Sequence, residues 1–454
     1  MDIMDIMIND TMDDINVPSL SVSLNKTKLL FVSTHINQTN GYAKVAYYLL
    51  KELAKLDFME IIHFGIHKNE SIVLENRVYP SNVQVINASG GGGGGGGGGS
   101  GGSSGSDGGF AFSKLYNVIS SEKPNIVMIY NDANIICKYI EELNHKNARV
   151  DFQYSIWAYI DQVYSTEIQH HIDIFNSNVD KVFCFSKSWK KNLIDQGIHR
   201  PIYVLPHAVD NEVFYPGIRE EARSRCGLSN EQFVFLSVNR NQPRKRLDIL
   251  IMSFVQFLVR NPLKPVILMM ICDRGENGGY PIFEIYHKEL KRNKLSPDVF
   301  GKRLLVTSED NMYQDSDINM FYNLADVGIS CADGEGFGLC CIEGMAAGLA
   351  QIVPAVGGYI DYCTTDNCHL IEPKYSYYLP LSYSPIGGKA SAVDVTDVVR
   401  SMEKCMHYDD FRKSCILNAN KVVQKYTWER ATRKLIHCLH NFQNELRMNA
   451  DDSE

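Results

Sequence analysis

Two carboxylates eight positions apart, Glu335 and Glu343, flank the turn Gly336-Phe337-Gly338 and run into a short helical pattern. The spacing places Glu335 in a loop at the mouth of a site and Glu343 about one turn into the helix that follows. Free amides at a helix start make an anion site suited to phosphate. Carboxylates beside a phosphate would repel it unless they face another group. Sugar hydroxyls fit, because one carboxylate accepts two such hydrogen bonds at once. The ligand implied by this segment carries both phosphate and sugar.

A phosphate-bearing ligand brings charge that must be neutralised, the more so if the phosphate departs. A divalent metal can do this, and so can fixed cations with helix dipoles. The segment Ser237-Val238-Asn239-Arg240-Asn241-Gln242-Pro243-Arg244-Lys245-Arg246-Leu247-Asp248 supplies cations where a strand ends and a helix opens. Cations at a helix start oppose its dipole, so a purely structural role explains them poorly. Asp315-Ser316-Asp317 has the letters of an Asp-x-Asp metal motif. It lacks a preceding apolar strand and opens a helical stretch, so Asp317 reads as an N-cap and no metal site is expected.

The elements that hold these residues alternate in type. Residues 28–33 read as a buried strand, followed by a polar loop and a helix over 42–56. Further strands are expected at 60–64, 83–86, 126–130, 152–156, 181–185 and 202–205, with helical stretches between most of them. The pattern restarts near Tyr215-Pro216, with strands at 233–238, 266–271, 304–306, 327–330 and 350–353 and helices at 246–260 and 318–324. Residues 410–444 show helical periodicity. Such alternation predicts an α/β chain of two doubly wound domains with parallel sheets and a ligand cleft between them. Ten glycines, Gly90 to Gly99, and the Gly/Ser run after them make 90–109 a flexible loop, since no packed element can be built from it.

Several of these segments resemble those of retaining glycosyltransferases with the GT-B fold, the large Glu-x7-Glu family that includes sucrose synthase-like enzymes and mannosyltransferases (group 1, family 4-like). Residues 335–348 are similar to the family's EGFGL-x-x-x-E-A-M-A-x-G, and 239–248 to its G-R-x-x-x-x-K-G-x-D, with Asn239 and Arg246 in place of the two glycines. Phe185-Ser186-Lys187-Ser188, Leu205-Pro206-His207-Ala208-Val209-Asp210 and Ile271-Cys272-Asp273-Arg274-Gly275 match weaker family segments. They recur in the family's order, which argues against a mere Gly-rich turn at 335–338.

The resemblance implies two Rossmann-like domains facing a central cleft: an N-terminal tail at 1–26, an acceptor-side domain at 27–215, a nucleotide-sugar donor domain at 216–425, and a C-terminal helix at 426–454 packing back on the first domain. Glu335 would contact the transferred sugar and Glu343 the ribose. The Phe337, Gly338 and Leu339 amides would orient sugar or phosphate, and Arg240 with Lys245 would hold the departing diphosphate. Gly41, the one glycine left in the acceptor-side loop, would approach the donor phosphate. The histidine often found after the family's middle strand is absent from 155–161, where Tyr159 or Asp161 could stand in for it. The implied activity is metal-independent transfer from a nucleotide-diphosphate sugar, with retention and with no other cofactor. The alternatives are a sugar-nucleotide epimerase or hydrolase, and a non-catalytic sugar-nucleotide or glycan-binding protein.

The composition sets outer limits. An apolar share of 44% with 22% charged residues is that of a globular protein. A net charge of −8 argues against nucleic acid as a partner. No apolar run reaches the ~20 residues a bilayer span needs, and the acidic N-terminus lacks a signal-peptide layout. Twelve scattered cysteines with no Cys-x-x-Cys pair suit a reducing compartment, so a cytoplasmic setting is expected. Basic helix faces at Lys190-Lys191 and Arg430, Arg433 and Lys434 leave peripheral membrane contact open, although a solvated face is the plainer reading. The acceptor is not legible.

Overall fold

The computed structural model describes residues 26–69, 72, 74–88, 108–145, 152–165, 168–275, 278–307, 313–381, 383–384 and 387–451. The expected N-terminal tail and the Gly/Ser loop lie outside these residues, apart from Lys26, Gly108 and Gly109.

Seven parallel strands form the first sheet: β1 Thr27–Thr34, β2 Met59–Ile66, β3 Val83–Asn87, β4 Ile126–Asp132, β5 Ser155–Asp161, β6 Lys181–Cys184 and β7 Ile202–Val204. Their order is β3-β2-β1-β4-β5-β6-β7. The second sheet has six: β8 Phe233–Val238, β9 Val266–Ile271, β10 Leu304–Val306, β11 Val327–Ile329, β12 Ala350–Pro354 and β13 His369–Ile371, in the order β10-β9-β8-β11-β12-β13. Each sheet reverses direction of winding beside its first strand, which opens a crevice at the C-terminal strand ends. The strands read as apolar runs because helices cover both faces: Leu29, Leu30 and Phe31 of β1 and Val266, Leu268 and Met270 of β9 are fully buried.

Element ends depart from expectation where polar residues or turns intervene. The fifth strand runs over Ser155–Asp161 rather than 152–156, because the buried run Trp157-Ala158-Tyr159-Ile160 carries it. The helix expected at 246–260 is Leu247–Arg260, since Arg246 has a left-handed φ of 46°. The helix expected from 318 begins at Asp315. Its cap is Gln314, and Asp317 occupies the third position, its carboxylate accepting from the Gln314 amide at 2.9 Å. Asp317 therefore closes a capping box from inside the helix instead of being the N-cap itself. An antiparallel hairpin, β14 Tyr375–Tyr378 and β15 Lys389–Ala392, was not foreseen.

After the helix Asp409–Val423 the chain returns to the first domain as the helix Trp428–Asp451. Trp428 stacks on Tyr48 at 4.9 Å between ring centroids, and Phe442 meets Trp157 edge-on at 6.0 Å. Where the chain crosses back, the Val209 amide donates to the Tyr426 carbonyl at 3.0 Å, so the outgoing and returning crossings run side by side. None of the twelve cysteines is in a disulfide. Among the described residues no helix is long and apolar enough to cross a membrane.

Candidate functional site

Both glutamates face a cleft of about 910 Å³ that is lined by both domains. The turn before the helix Leu339–Ala346 depends on Gly338. Its φ is 91°, and a Cβ there would lie 2.3 Å from Tyr359 Cε1, so a side chain is excluded twice over. The Leu339 and Cys340 amides at its start have no acceptor within the helix, and both residues line the cleft. Across the cleft Gly41 begins the helix Gly41–Leu53, close enough that a Cβ would touch Leu339 Cδ1 at 3.4 Å.

Glu335 is buried and held by two cations. Lys245 Nζ lies 2.5 Å and Arg244 Nη1 3.2 Å from its Oε2, while Arg244 also donates to the Gly334 carbonyl at 3.3 Å. Burial alone would raise the Glu335 carboxyl, but Lys245 and Arg244 overcome that and hold it below the usual glutamate range. Arg244 and Lys245 are consecutive in the tight turn Pro243–Lys245, and both reach this carboxylate. Arg240, expected as the partner of Lys245, lines the same cleft from an exposed position after β8, without a hydrogen bond to Glu335. Arg244 is the residue that sequence reasoning passed over. Its only signal was its place in the same cationic run.

Arg246, where the resembled family has glycine, turns away from Glu335. Its guanidinium binds Asp248 at 2.9 and 3.0 Å and reaches the Tyr377 hydroxyl at 3.3 Å. It thereby ties the hairpin to the rim of the cleft.

Glu343 is more enclosed. Lys44 of the first domain donates to Oε1, and the Tyr322 hydroxyl donates to Oε2 at 3.3 Å. Burial nevertheless raises its carboxyl above the ordinary range, outweighing Lys44. Lys44 also lies 3.2 Å from Asp315. Arg77 grips Asp315 through Nε and Nη2 at 2.9 to 3.1 Å, and Asn76 donates to it at 3.0 Å. Burial pushes the Asp315 carboxyl upward, yet Lys44 and Arg77 hold it well below the carboxylate range. The Asp-x-Asp letters thus mark an inter-domain ion-pair network, whose first-domain partners lie hundreds of residues away in sequence.

On the first-domain wall, Tyr159 is fully buried and donates to the Leu205 carbonyl at 2.7 Å, which makes it a packing residue. Asp161 lines the cleft, and strand register sets it beside Asp132. Tyr42 donates to Asp132 at 2.7 Å, and Tyr130 donates to Asp161 at 3.5 Å. Burial first, and then Asp132, pushes the Asp161 carboxyl up to about 7. His207 is kept neutral by burial, which pushes it down to about 3. It packs between Phe185 and Phe337, with centroids at 4.2 and 5.3 Å. Ser186 caps the helix Lys187–Asp195, its hydroxyl oxygen accepting from the Trp189 amide at 3.2 Å.

Residues 218–377 match the family model described as glycosyl transferases group 1. The match shows a likeness over the second sheet and the elements around it. The matched stretch contains the cationic turn and both glutamates. D-inositol 3-phosphate glycosyltransferases of Streptosporangium roseum and Nocardiopsis dassonvillei are 27% and 31% identical to this chain over 157 residues. The matched stretch is 35% of this chain and 34% and 35% of those proteins, so the chain spans about a third of the length of the curated relatives it matches. Over nearly the whole chain the fold is GT-B. Sucrose-phosphate synthase from Thermosynechococcus elongatus superposes with a TM-score of 0.69 at 14% identity, covering 92% of this chain and all of that one. HepE of Anabaena, solved with UDP and glucose, gives 0.65 at 15% with the same coverage.

Proposed function

We propose that the protein transfers a sugar from a nucleotide-diphosphate sugar to a hydroxyl acceptor, with retention of configuration and without a metal ion. One observation carries this reading. Glu335, its two cations, an open helix start and Glu343 all face a single cleft between two Rossmann-like domains. The likeness to group 1 glycosyl transferases supports the reaction class, and a HepE structure holding UDP-glucose supports the donor class.

In this reading residues 216–425 hold the donor and 27–215 the acceptor, with the C-terminal helix bracing the latter. The diphosphate sits at the start of the helix Leu339–Ala346, near Phe337, Gly338 and Gly41, with its charge met by Arg240, Arg244 and Lys245. Glu335, kept ionised by Lys245 and Arg244, accepts hydroxyls of the sugar being moved. Glu343 takes the ribose hydroxyls and can do so with Lys44 in place, because a carboxylate has about four acceptor sites. Attack occurs on the face the diphosphate leaves, and a departing phosphate oxygen takes the acceptor proton, so no side-chain nucleophile is needed. Twelve cysteines outside any disulfide, most of them buried, fit a cytoplasmic setting.

Thermal unfolding against a panel of nucleoside diphosphates and their sugars, with EDTA present, tests the donor half. A ligand at 100 times its Kd adds about 2.7 kcal/mol to the folded state. Stabilisation by one nucleotide class, lost in Glu343→Ala, supports the reading. No stabilisation of a folded protein by any of them refutes it.

A further inference from the structure

Resting on that reading, we infer that the acceptor is an uncharged polyhydroxylated molecule, a sugar or polyol without phosphate or carboxylate, seated against Asp132, Asp161 and Tyr42. The first argument is that, among the described residues, the first-domain wall offers no available cation. Its two cleft-lining cations, Lys44 and Arg77, are both committed to carboxylates of the second domain. Arg77 also donates to the Gln38 carbonyl at 2.9 Å. If Glu343 exchanged Lys44 for ribose, Lys44 would still face Asp315 at 3.2 Å. Of the residues outside the description only Lys146 and Arg149 are basic.

The second argument is what the wall offers instead. Asp132 and Asp161 end neighbouring strands in register, so their carboxylates stand side by side. A phosphate set there would meet the negative charge this pair keeps in a partly desolvated cleft, and the cations that face the pair, Arg240 and Arg244, are those the donor diphosphate takes. Sugar hydroxyls would meet acceptors, because each carboxylate binds vicinal hydroxyls in a forked geometry. The place is also right for transfer. A Cβ on Gly336, the residue after Glu335, would come within 3.1 Å of Asp161 Oδ1, so the acidic wall abuts the loop that would hold the departing sugar.

The experiment uses the full chain loaded with whichever nucleoside diphosphate stabilises it, and neutral and phosphorylated partners in pairs: glucose with glucose 6-phosphate, and myo-inositol with its monophosphate. Calorimetric binding and sugar transfer are followed for the wild type, Asp132→Asn and Asp161→Asn. The expected result is that a neutral member binds at least about tenfold more tightly than its phosphate, and weakens about tenfold or more in Asp132→Asn. A phosphate ester that binds or turns over better than its parent overturns the inference while leaving the glycosyltransferase reading intact. So does a failure of every neutral member to bind the nucleotide-loaded protein. If no nucleotide binds at all, the glycosyltransferase reading falls and this inference falls with it.

Discussion

Replacing Arg77 with methionine tests whether the two domains are joined by a true buried ion pair. The Arg77 side chain is 3% exposed and that of Asp315 6%. Three contacts of 2.9 to 3.1 Å would vanish and leave Asp315 with Lys44 and Asn76. Breaking such a pair costs about 3–5 kcal/mol, because it strands a buried charge. The remaining partners favour the lower end, about 3 kcal/mol. For a domain of about 200 residues, 1 kcal/mol moves Tm by roughly 2–4 °C, so Arg77→Met should melt about 6–12 °C lower at pH 7. The pH dependence has a definite sign. The folded Asp315 carboxyl lies well below its unfolded value of about 3.9, so its stabilisation is present above that value and is lost as pH falls through the folded one. The gap between wild type and mutant should stay constant from neutral pH to about pH 5 and narrow below about pH 4. Calorimetry across that range reads both quantities. A Tm change under 2 °C would place the contact with exposed salt bridges and refute the argument, as would a gap that does not change with acidification.

Other perturbations follow from the same geometry. Glu335→Gln should leave the fold intact and lower sugar transfer at least about a hundredfold, the scale of losing one preorganised charge contact; kinetics with the donor identified by binding measure it. Asp161→Asn should be more stable relative to wild type at pH 8 than at pH 5. The wild-type carboxyl, pushed up to about 7, favours the folded state below about pH 4 and loses that advantage as pH rises through 7, and paired melting curves at the two pH values decide the matter. Trp428→Ala removes a buried ring stacked on Tyr48 and should cost about 3–5 kcal/mol, seen as a lower urea midpoint. Arg246→Gly relieves a left-handed φ but cuts the links to Asp248 and Tyr377, so a protease should nick the 375–392 hairpin sooner while global Tm changes little.

Much of this was legible in the chain because it is local. Buried β-branched and aromatic runs marked the strands, and Gly338 and Glu343 declared a turn and a helix face by spacing alone. What escaped notice depends on contacts between distant segments. Nothing near Lys44 or Arg77 in sequence announces Asp315 and Glu343, which lie across the cleft. Arg244 rather than Arg240 reached Glu335 because the turn at Pro243–Lys245 rotates the side chains, and letter patterns carry no such rotation. Tyr159 and Asp161 could not be separated from the sequence. In a strand they share a face by period two, and only the sheet's end decides that Asp161 emerges into the cleft while Tyr159 stays beneath it.

The helix Trp428–Asp451 has a consequence for the order in which the protein can be completed during synthesis. The first sheet leaves the ribosome with β7, but the helix that covers Tyr48 and Trp157 emerges about 200 residues later. At translation rates of ~5–20 residues per second that interval is roughly 10–40 s, during which the first domain must wait with an apolar flank uncovered. The second domain is in this sense an insertion into the first. Its prompt folding brings residue 427 back beside Val209 and delivers the missing helix to its seat.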